Sequence, residues 1–144
     1  MRWLLLDEVT KIEKKVQAST RSHVPDSPAS PELLLIEMMA QTGGLLLGAE
    51  KDFQDDFIFA KIDSAQFADS FSAGEKIEVE ATSENLKPEG AWIDGKVRRA
   101  NDESILASSR FLLMNAGRLV PDQANSITFH EAFMNHFDVR NKVR

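Results

Sequence analysis

The stretch "SPELLLIEMMAQTGGLLL", residues 30–47, decides the fold. Ten of the fifteen residues from Leu33 to Leu47 are apolar, and two of the others are glycines. Pro31 suits the first position of a helix, where the backbone N–H has no internal partner, and Ser30 suits the cap before it. Because Leu33 to Ile36 is apolar on every side, the sequence predicts a helix that is buried all round. This helix is shorter than the ~20 apolar residues of a membrane span.

Strand patterns flank this helix on both sides. Before it, residues 2–20 predict one or two strands, with Ile12 and Val16 facing inward. After it, four strand segments at residues 57–67, 75–86, 90–101 and 104–115 are separated by turn residues. This spacing predicts an antiparallel meander. One buried helix with a run of strands is an α+β arrangement, in which a curved antiparallel sheet wraps around one long buried helix.

The chain length and its tail suggest the domain organisation. A chain of 144 residues suits one domain, which we assign to residues 1–117, with residues 118–144 as a C-terminal extension. In this extension Thr128 and Glu131 fit a capping box, and Phe129, Phe133 and Phe137 recur at helical spacing. We therefore expect a short helix there.

The composition excludes several classes of function. A net charge of -6 argues against a general nucleic-acid binder, and the absence of cysteine excludes disulfides and thiolate sites. His130 and His136 are poorly spaced for joint ligation, so we expect no metal, and no cofactor is expected either. The opening "MRWLLLDEV" has too short an apolar run for a signal peptide. We expect a soluble cytoplasmic protein without a membrane span.

Two polar residues stand out around the helix. Glu37 interrupts the apolar run, and burial would raise the pKa of its carboxyl, as a general acid near neutral pH requires. Gln41 follows one helical turn later and could orient it. His23, which precedes three spaced prolines, can act as a base near neutral pH. The alternatives are that Glu37 pairs with a cation or reaches the rim, and that His23 is a solvated loop residue.

The start of the helix adds a third group that could take part in a reaction, its free backbone N–H donors. The N–H groups after Pro31 lack intrahelical partners and lie at the positive end of the helix dipole, where they could stabilise an enolate-like oxygen. A base, an acid and such donors together suit removal of a proton next to a carbonyl with loss of a β-hydroxyl.

This segment resembles the active-site segment of the β-hydroxyacyl-acyl-carrier-protein dehydratases, hot-dog-fold enzymes of fatty acid synthesis. In that family a histidine begins the segment, prolines recur, and a buried helix carries the acid. Further similarity at Phe59 to Phe67 and in the closing strands extends the resemblance over roughly residues 3–114. The positions that match the active-site segment without a gap are His23, Pro25, Pro28, Pro31, Leu34, Glu37, Ala40 and Gln41.

The resemblance implies a dehydratase reaction. His23 would remove the α-proton of a 3-hydroxyacyl thioester, and Glu37 would protonate the leaving β-hydroxyl to give a trans-2-enoyl thioester. The product would serve fatty acid synthesis or a related lipid or polyketide pathway. The isomerising branch of the family has aspartate at the acid position, so Glu37 favours plain dehydration.

The resemblance also implies partners. The substrate would be carried by an acyl carrier protein, an acidic protein for which Arg21, Arg98 and Arg99 are candidate contacts, with a solvated strand face as the alternative. A homodimer would be the minimal active unit, because in the family the histidine and the acid of one site come from opposite subunits. Hexamers, as trimers of dimers, also occur.

Several positions depart from the family pattern. Glu32 occupies the usual glycine at the helix start, where a backbone N–H meets the thioester, and Val24 replaces a phenylalanine. The chain has no tyrosine, so an aromatic gate over the acyl tunnel would be a phenylalanine. The substrate-binding residues implied by the resemblance are Glu32, Leu33, Gln41, Phe57 and Phe59.

Two other functions remain open from the sequence. One is a hot-dog thioesterase or hydratase acting on acyl-CoA, which the histidine-proline segment argues against. The other is a non-catalytic acyl-binding subunit, which the presence of both His23 and Glu37 argues against.

Overall fold

A computed structural model of the chain describes residues 5–68, 70–117, 119 and 128–144. Within these residues the fold is a six-stranded antiparallel sheet with one long helix packed against it and two short helices after the last strand. The predicted α+β arrangement is confirmed. The elements are β1 (Glu8–Glu13), β2 (Gln17–His23), α1 (Pro31–Ala49), β3 (Asp56–Phe67), β4 (Lys76–Lys87), β5 (Gly90–Arg99), β6 (Ile105–Gly117), α2 (Glu131–His136) and α3 (Val139–Lys142).

The strand order in the sheet is β1-β2-β4-β5-β6-β3, with every pair antiparallel. The predicted meander is therefore right for β4, β5 and β6 but wrong for β3, which pairs with β6 at the far edge. The reason is the length of α1. Its 19 residues span about 28 Å, enough to carry the chain across the sheet before β3 begins.

Helix α1 forms the centre of the core. Eleven of its residues are buried, and Met39 packs so closely on β5 that a Cβ added at Gly95 would lie 2.8 Å from its side chain. The first turn differs, because Leu35 is fully buried there while Leu33 is 64% exposed. The expectation of a helix buried all round is thus wrong for this turn, which contacts the sheet on one side only.

The expectation that this helix is too short to span a membrane is wrong, because the length and composition of α1 are those of a helix that could cross one. However, 61% of its apolar window is buried inside the fold. A helix buried to this extent is typical of the core of a soluble protein.

The first hairpin corrects one predicted core residue. Ile12 is fully buried, as expected, but Val16 is 49% exposed. Lys15 has a φ of 65° and the N–H of Val16 donates to the carbonyl of Glu13, so Val16 lies in the turn and not on the inward face of a strand.

The described part of the tail folds back onto the core. The predicted capping box is wrong, because α2 begins after His130, whose Nδ1 accepts from the N–H of Ala132 at 3.2 Å. Thr128 instead donates its N–H to Oδ1 of the buried Asp56 at 2.7 Å. Residues 118 and 120–127 lie outside the described residues, and the domain boundary at residue 117 stays a prediction.

Aromatic rings and the last residues hold the tail in place. The ring of Phe129 is buried 5.1 Å from that of Phe53, and a Cβ added at Gly48 of α1 would lie 2.6 Å from it. Further along, Val143 forms a parallel bridge with Ile12 of β1. The tail therefore covers the C-terminal end of α1 and part of the outer edge of β1.

Candidate active site

Glu37 lies on α1 with an oriented carboxyl. The Nε2 of Gln41 donates to Glu37 Oε1 at 3.1 Å, the contact that the helical spacing predicts. A contact of its Oε1, which accepts from the N–H of Leu5 at 3.3 Å, sets the orientation of the Gln41 amide. Glu37 is half-buried and not fully buried, and it lies one turn after the exposed Leu33.

His23 is the last residue of β2. The sequence had suggested that it lies in a loop. Its side chain is exposed, and its Nδ1 lies 2.8 Å from Oδ2 of Asp7. No sequence pattern predicted the contact of Asp7 with His23. The two residues are sixteen positions apart, and only the register of β1 against β2 brings them together.

One short segment connects the surroundings of both residues. Leu5 donates its N–H to Gln41, the partner of Glu37, and its carbonyl accepts from the hydroxyl of Ser22, the neighbour of His23. The segment from Leu5 to Asp7 therefore lies between the helix that carries the acid and the strand that carries the histidine.

A buried hydrogen bond also fixes β2 against α1. The hydroxyls of Thr20 and Thr42 lie 2.9 Å apart, and Thr42 donates to the carbonyl of Met38 at 2.9 Å. Because both threonines are buried, this contact fixes the strand that ends at His23 in position against the helix.

The start of α1 carries the carboxylate of Glu32 at the position where the resemblance implies a glycine. Ser30 occupies the predicted cap position, but its hydroxyl donates to Glu32 Oε2 at 2.7 Å and does not cap the helix. This hydrogen bond, followed by one from Glu32's own N–H, lowers the pKa of the Glu32 carboxyl against an opposing effect of desolvation. The ionised carboxylate of Glu32 therefore lies against the N–H of Glu32 itself, one of the N–H groups expected to bind a substrate oxygen. The N–H of Leu33 is the other candidate.

The two phenylalanines proposed for the acyl tunnel lie elsewhere on the sheet. Phe57 is half-buried 6.4 Å from Phe129 and lines a cleft with Leu47 at the C-terminal end of α1. Leu47 is ten residues, or about 15 Å, along the helix from Glu37. Phe59 stacks on Phe111 with the ring centroids 5.1 Å apart. The gate role of both residues stays a prediction.

Of the three arginines expected to meet a carrier protein, two make ion pairs within the chain. Arg21 lies 3.5 Å from Glu8, and Arg99 contacts Glu75. Within the described ranges, no group of three histidine, aspartate or glutamate side chains is arranged to hold a metal ion.

The chain is similar to curated proteins over most of its length. It is 30% identical over 117 residues to the 3-hydroxyacyl-[acyl-carrier-protein] dehydratase FabZ of Aliarcobacter butzleri, covering 65% of this chain and 80% of that protein. The chain belongs to the FabZ family. It is likewise 30% identical over 121 residues to the FabZ of Clostridium perfringens (strain SM101 / Type A), covering 76% of this chain and 86% of that protein. No family model matches the chain.

Solved structures share the fold of this FabZ family member at low sequence identity. The dehydratase heterocomplex ApeI:P from Xenorhabdus doucetiae has a TM-score of 0.63 at 16% identity, over 78% of this chain and 83% of that one. A mutant hypothetical thioesterase protein from Streptococcus pneumoniae TIGR4 has a TM-score of 0.63 at 11% identity, over 77% and 90%. The likeness shows the fold alone. The predicted hot-dog fold, the family and the assignment to the dehydratases of fatty acid synthesis are confirmed.

Proposed function

We propose that this chain removes water from 3-hydroxyacyl thioesters carried on an acyl carrier protein, with His23 as base and Glu37 as acid. The observation that carries the proposal is the Glu37 carboxyl, which is half-buried on the core helix and held by Gln41 in a chain that belongs to the FabZ family. A half-buried carboxyl reaches a substrate while keeping a defined orientation.

The proposed reaction balances with these two side chains alone. Nε2 of His23 takes the proton from C2 of the acyl chain, and the electron pair of that C–H bond forms the double bond between C2 and C3. The bond between C3 and oxygen breaks as Glu37 gives its proton to the leaving hydroxyl. The products are a trans-2-enoyl thioester and water. Return of the proton from the imidazolium to the Glu37 carboxylate restores both groups.

The proposed active unit is a homodimer whose sites combine His23 of one subunit with Glu37 of the partner subunit. Two surfaces support this proposal. Strand β3 is an edge strand of twelve residues with exposed Ile58, Phe59 and Ile62, and such an edge favours pairing with another chain. Leu33 is an exposed apolar residue in the first turn of the helix that carries Glu37.

The proposed carrier and compartment follow from the family. The FabZ relatives are named for substrates bound to an acyl carrier protein, and we propose the same substrate class and a cytoplasmic location for this chain. Leu33 is the residue we propose to contact the acyl group next to Glu37, because its side chain is exposed beside the acid.

A turnover assay tests the reaction. Purified chain is mixed with 3-hydroxyacyl carrier-protein thioesters of several acyl lengths, and enoyl thioester and free acid are both measured. We expect His23→Ala and Glu37→Gln each to lower kcat by about a hundredfold or more. Glu89→Gln, at an exposed glutamate of the β4–β5 turn, is the control and should keep the wild-type rate.

Three results would contradict this proposal. Unchanged dehydration in both variants would exclude the assigned base and acid. Release of free acid would identify a thioesterase, and tight acyl binding without turnover would identify a non-catalytic subunit.

Mixing the two inactive variants tests the composite site. If each site takes one residue from each subunit, a dimer of His23→Ala with Glu37→Gln contains one intact site. After subunit exchange at equal amounts, activity should return to about a quarter of the wild-type rate. Mixtures that stay inactive despite exchange would place both residues of a site in the same chain.

A further inference from the structure

The ring of the proposed base lies against a carboxylate. Oδ2 of Asp7 is 2.8 Å from Nδ1 of His23, a normal hydrogen-bond distance. The side chain of Arg21, whose carbonyl accepts from the N–H of Asp7, pairs with Glu8 at 3.5 Å and with Glu78 at 3.6 Å. The Asp7 carboxylate is therefore available to the histidine.

The backbone on both sides of this pair is fixed. The N–H of Asp7 donates to the carbonyl of Arg21 at 2.9 Å, and the adjacent Glu8 pairs with Arg21 across the two strands. The hydroxyl of Ser22 holds the carbonyl of Leu5. The contact between the two side chains thus follows from the strand ladder and does not depend on a mobile loop.

This contact determines which ring nitrogen carries the proton. An ionised carboxylate only accepts hydrogen bonds, so Nδ1 must be the protonated nitrogen of a neutral His23 ring. The lone pair then lies on Nε2, on the opposite side of the ring. After Nε2 takes a proton, the same carboxylate stabilises the imidazolium.

We propose that Asp7 is the positioning residue that keeps His23 in the tautomer and orientation of a general base. This inference rests on the proposed function, because it assigns to Asp7 a role in the same proton transfer. It adds a second positioning contact to the site, alongside the Gln41 amide that orients Glu37.

A structural role alone would have little effect here. The side chains of His23 and Asp7 are 52% and 55% exposed, and exposed pairs contribute little to stability. Loss of activity without loss of stability therefore distinguishes positioning from folding.

Asp7→Asn is the test variant, since it keeps the size of the side chain and removes its charge. We expect kcat to fall by about tenfold to a hundredfold, with KM within about twofold and an unchanged midpoint of urea unfolding. The control is Glu89→Gln, which removes an exposed carboxylate of the β4–β5 turn and should leave kcat unchanged. A wild-type kcat in Asp7→Asn, or an equal loss in Glu89→Gln, would overturn the proposal.

The tautomer is measured directly by nitrogen NMR of histidine-labelled protein. The chain has three histidines, so the His23 signals are assigned by their loss in His23→Ala. In the wild type the neutral ring should carry its proton on Nδ1. In Asp7→Asn the amide N–H can donate to Nδ1, which moves the ring proton to Nε2. A wild-type ring protonated mainly on Nε2 would overturn the proposal.

The two readouts separate this inference from the proposed function. If the wild type shows no dehydration, the proposed function fails, while the NMR result still confirms or excludes the control of the His23 tautomer by Asp7. If dehydration is normal and depends on His23 but not on Asp7, only the positioning role fails.

Discussion

The two ends of α1 are built from similar apolar residues but are covered differently. At its C-terminal end, Gly48 lies against the rings of Phe53 and Phe129, and every residue from Gly43 to Ala49 is buried. At its N-terminal end, Leu33 is 64% exposed and Glu37 is half-buried. Hydrophobicity is therefore not what distinguishes the two ends. The tail supplies a cover for one end, while the described residues leave the other open beside the proposed acid.

This difference indicates how the helix serves two purposes. The closed end anchors α1 in the core through aromatic contacts with the tail. In the proposed function, the open end presents the Glu37 carboxyl to a substrate at a site shared with a second subunit. Substitutions at matched positions of α1 test this difference between its two ends.

The largest expected effect compares two leucines of the first turn. Leu35→Ala should lower the free energy of unfolding by about 2–5 kcal/mol, because the side chain is fully buried. Leu33→Ala should change it by less than about 0.5 kcal/mol in the monomer, because most of the side chain is already in water. Urea unfolding at low protein concentration measures both. Equal costs would show that this end of the helix is closed.

The next effect compares two glycines of α1. A Cβ at Gly48 would overlap the rings of Phe129 and Phe53, so Gly48→Ala should destabilise the chain by about 1–3 kcal/mol. At Gly44 an added Cβ meets nothing within 4 Å, and Gly44→Ala should stabilise the helix by about 0.5–1 kcal/mol. Thermal unfolding of both variants checks the opposite signs. A stabilising Gly48→Ala would mean that the tail does not pack on the closed end.

A smaller effect concerns the charge at the open end. Glu32→Gln removes an anion from the helix start, which should raise kcat/KM for a 3-hydroxyacyl thioester by about two- to fivefold. Glu32→Gly, which introduces the glycine that the resemblance implies here, should raise it at least as much. Glu89→Gln serves again as the control. A lower kcat/KM in both Glu32 variants would show that the carboxylate assists the reaction.

The smallest effect concerns the hydroxyl beside that carboxylate. Ser30→Ala removes the main cause of the lowered pKa of Glu32, so the pKa should rise toward its ordinary value in a carbon-detected NMR titration. A lowered folded-state pKa adds stability above the unfolded-state pKa, and this stability is lost as the pH falls through the folded-state value. The stability difference between Ser30→Ala and wild type should therefore be present at neutral pH and vanish below that value. A Glu32 pKa that does not respond to the variant would contradict the hydrogen bond.

Local patterns predicted the elements well because each pattern reports which side of an element is buried. The helix begins at Pro31, and the four strands after it lie where alternation and turn residues placed them. The contact of Gln41 with Glu37 was predictable for the same reason, since it depends only on helical spacing. Family membership followed from the residues between His23 and Gln41.

Contacts that depend on strand neighbours could not be predicted. To predict the pairing of β3 with β6, one must know where in the sheet α1 ends. To predict the approach of Asp7 to His23, one must know the register of the first hairpin. The helix cap at His130 was also missed, since the hydroxyl of Thr128 made a more familiar pattern. In each case the competing arrangements have the same local pattern and differ only in tertiary contacts.

The bridge between Val143 and Ile12 affects how far copies of this chain could associate. A sheet with two open edges can add a neighbour on each side, and repeated addition produces a fibre. Here the N–H of Arg144 donates to the carbonyl of Ile12, and the N–H of Lys14 donates to the carbonyl of Arg144, which occupies part of the β1 edge. In the proposed pairing through β3, part of the other edge of each copy is then already occupied, so the tail reduces the edge open to further addition as well as covering the helix.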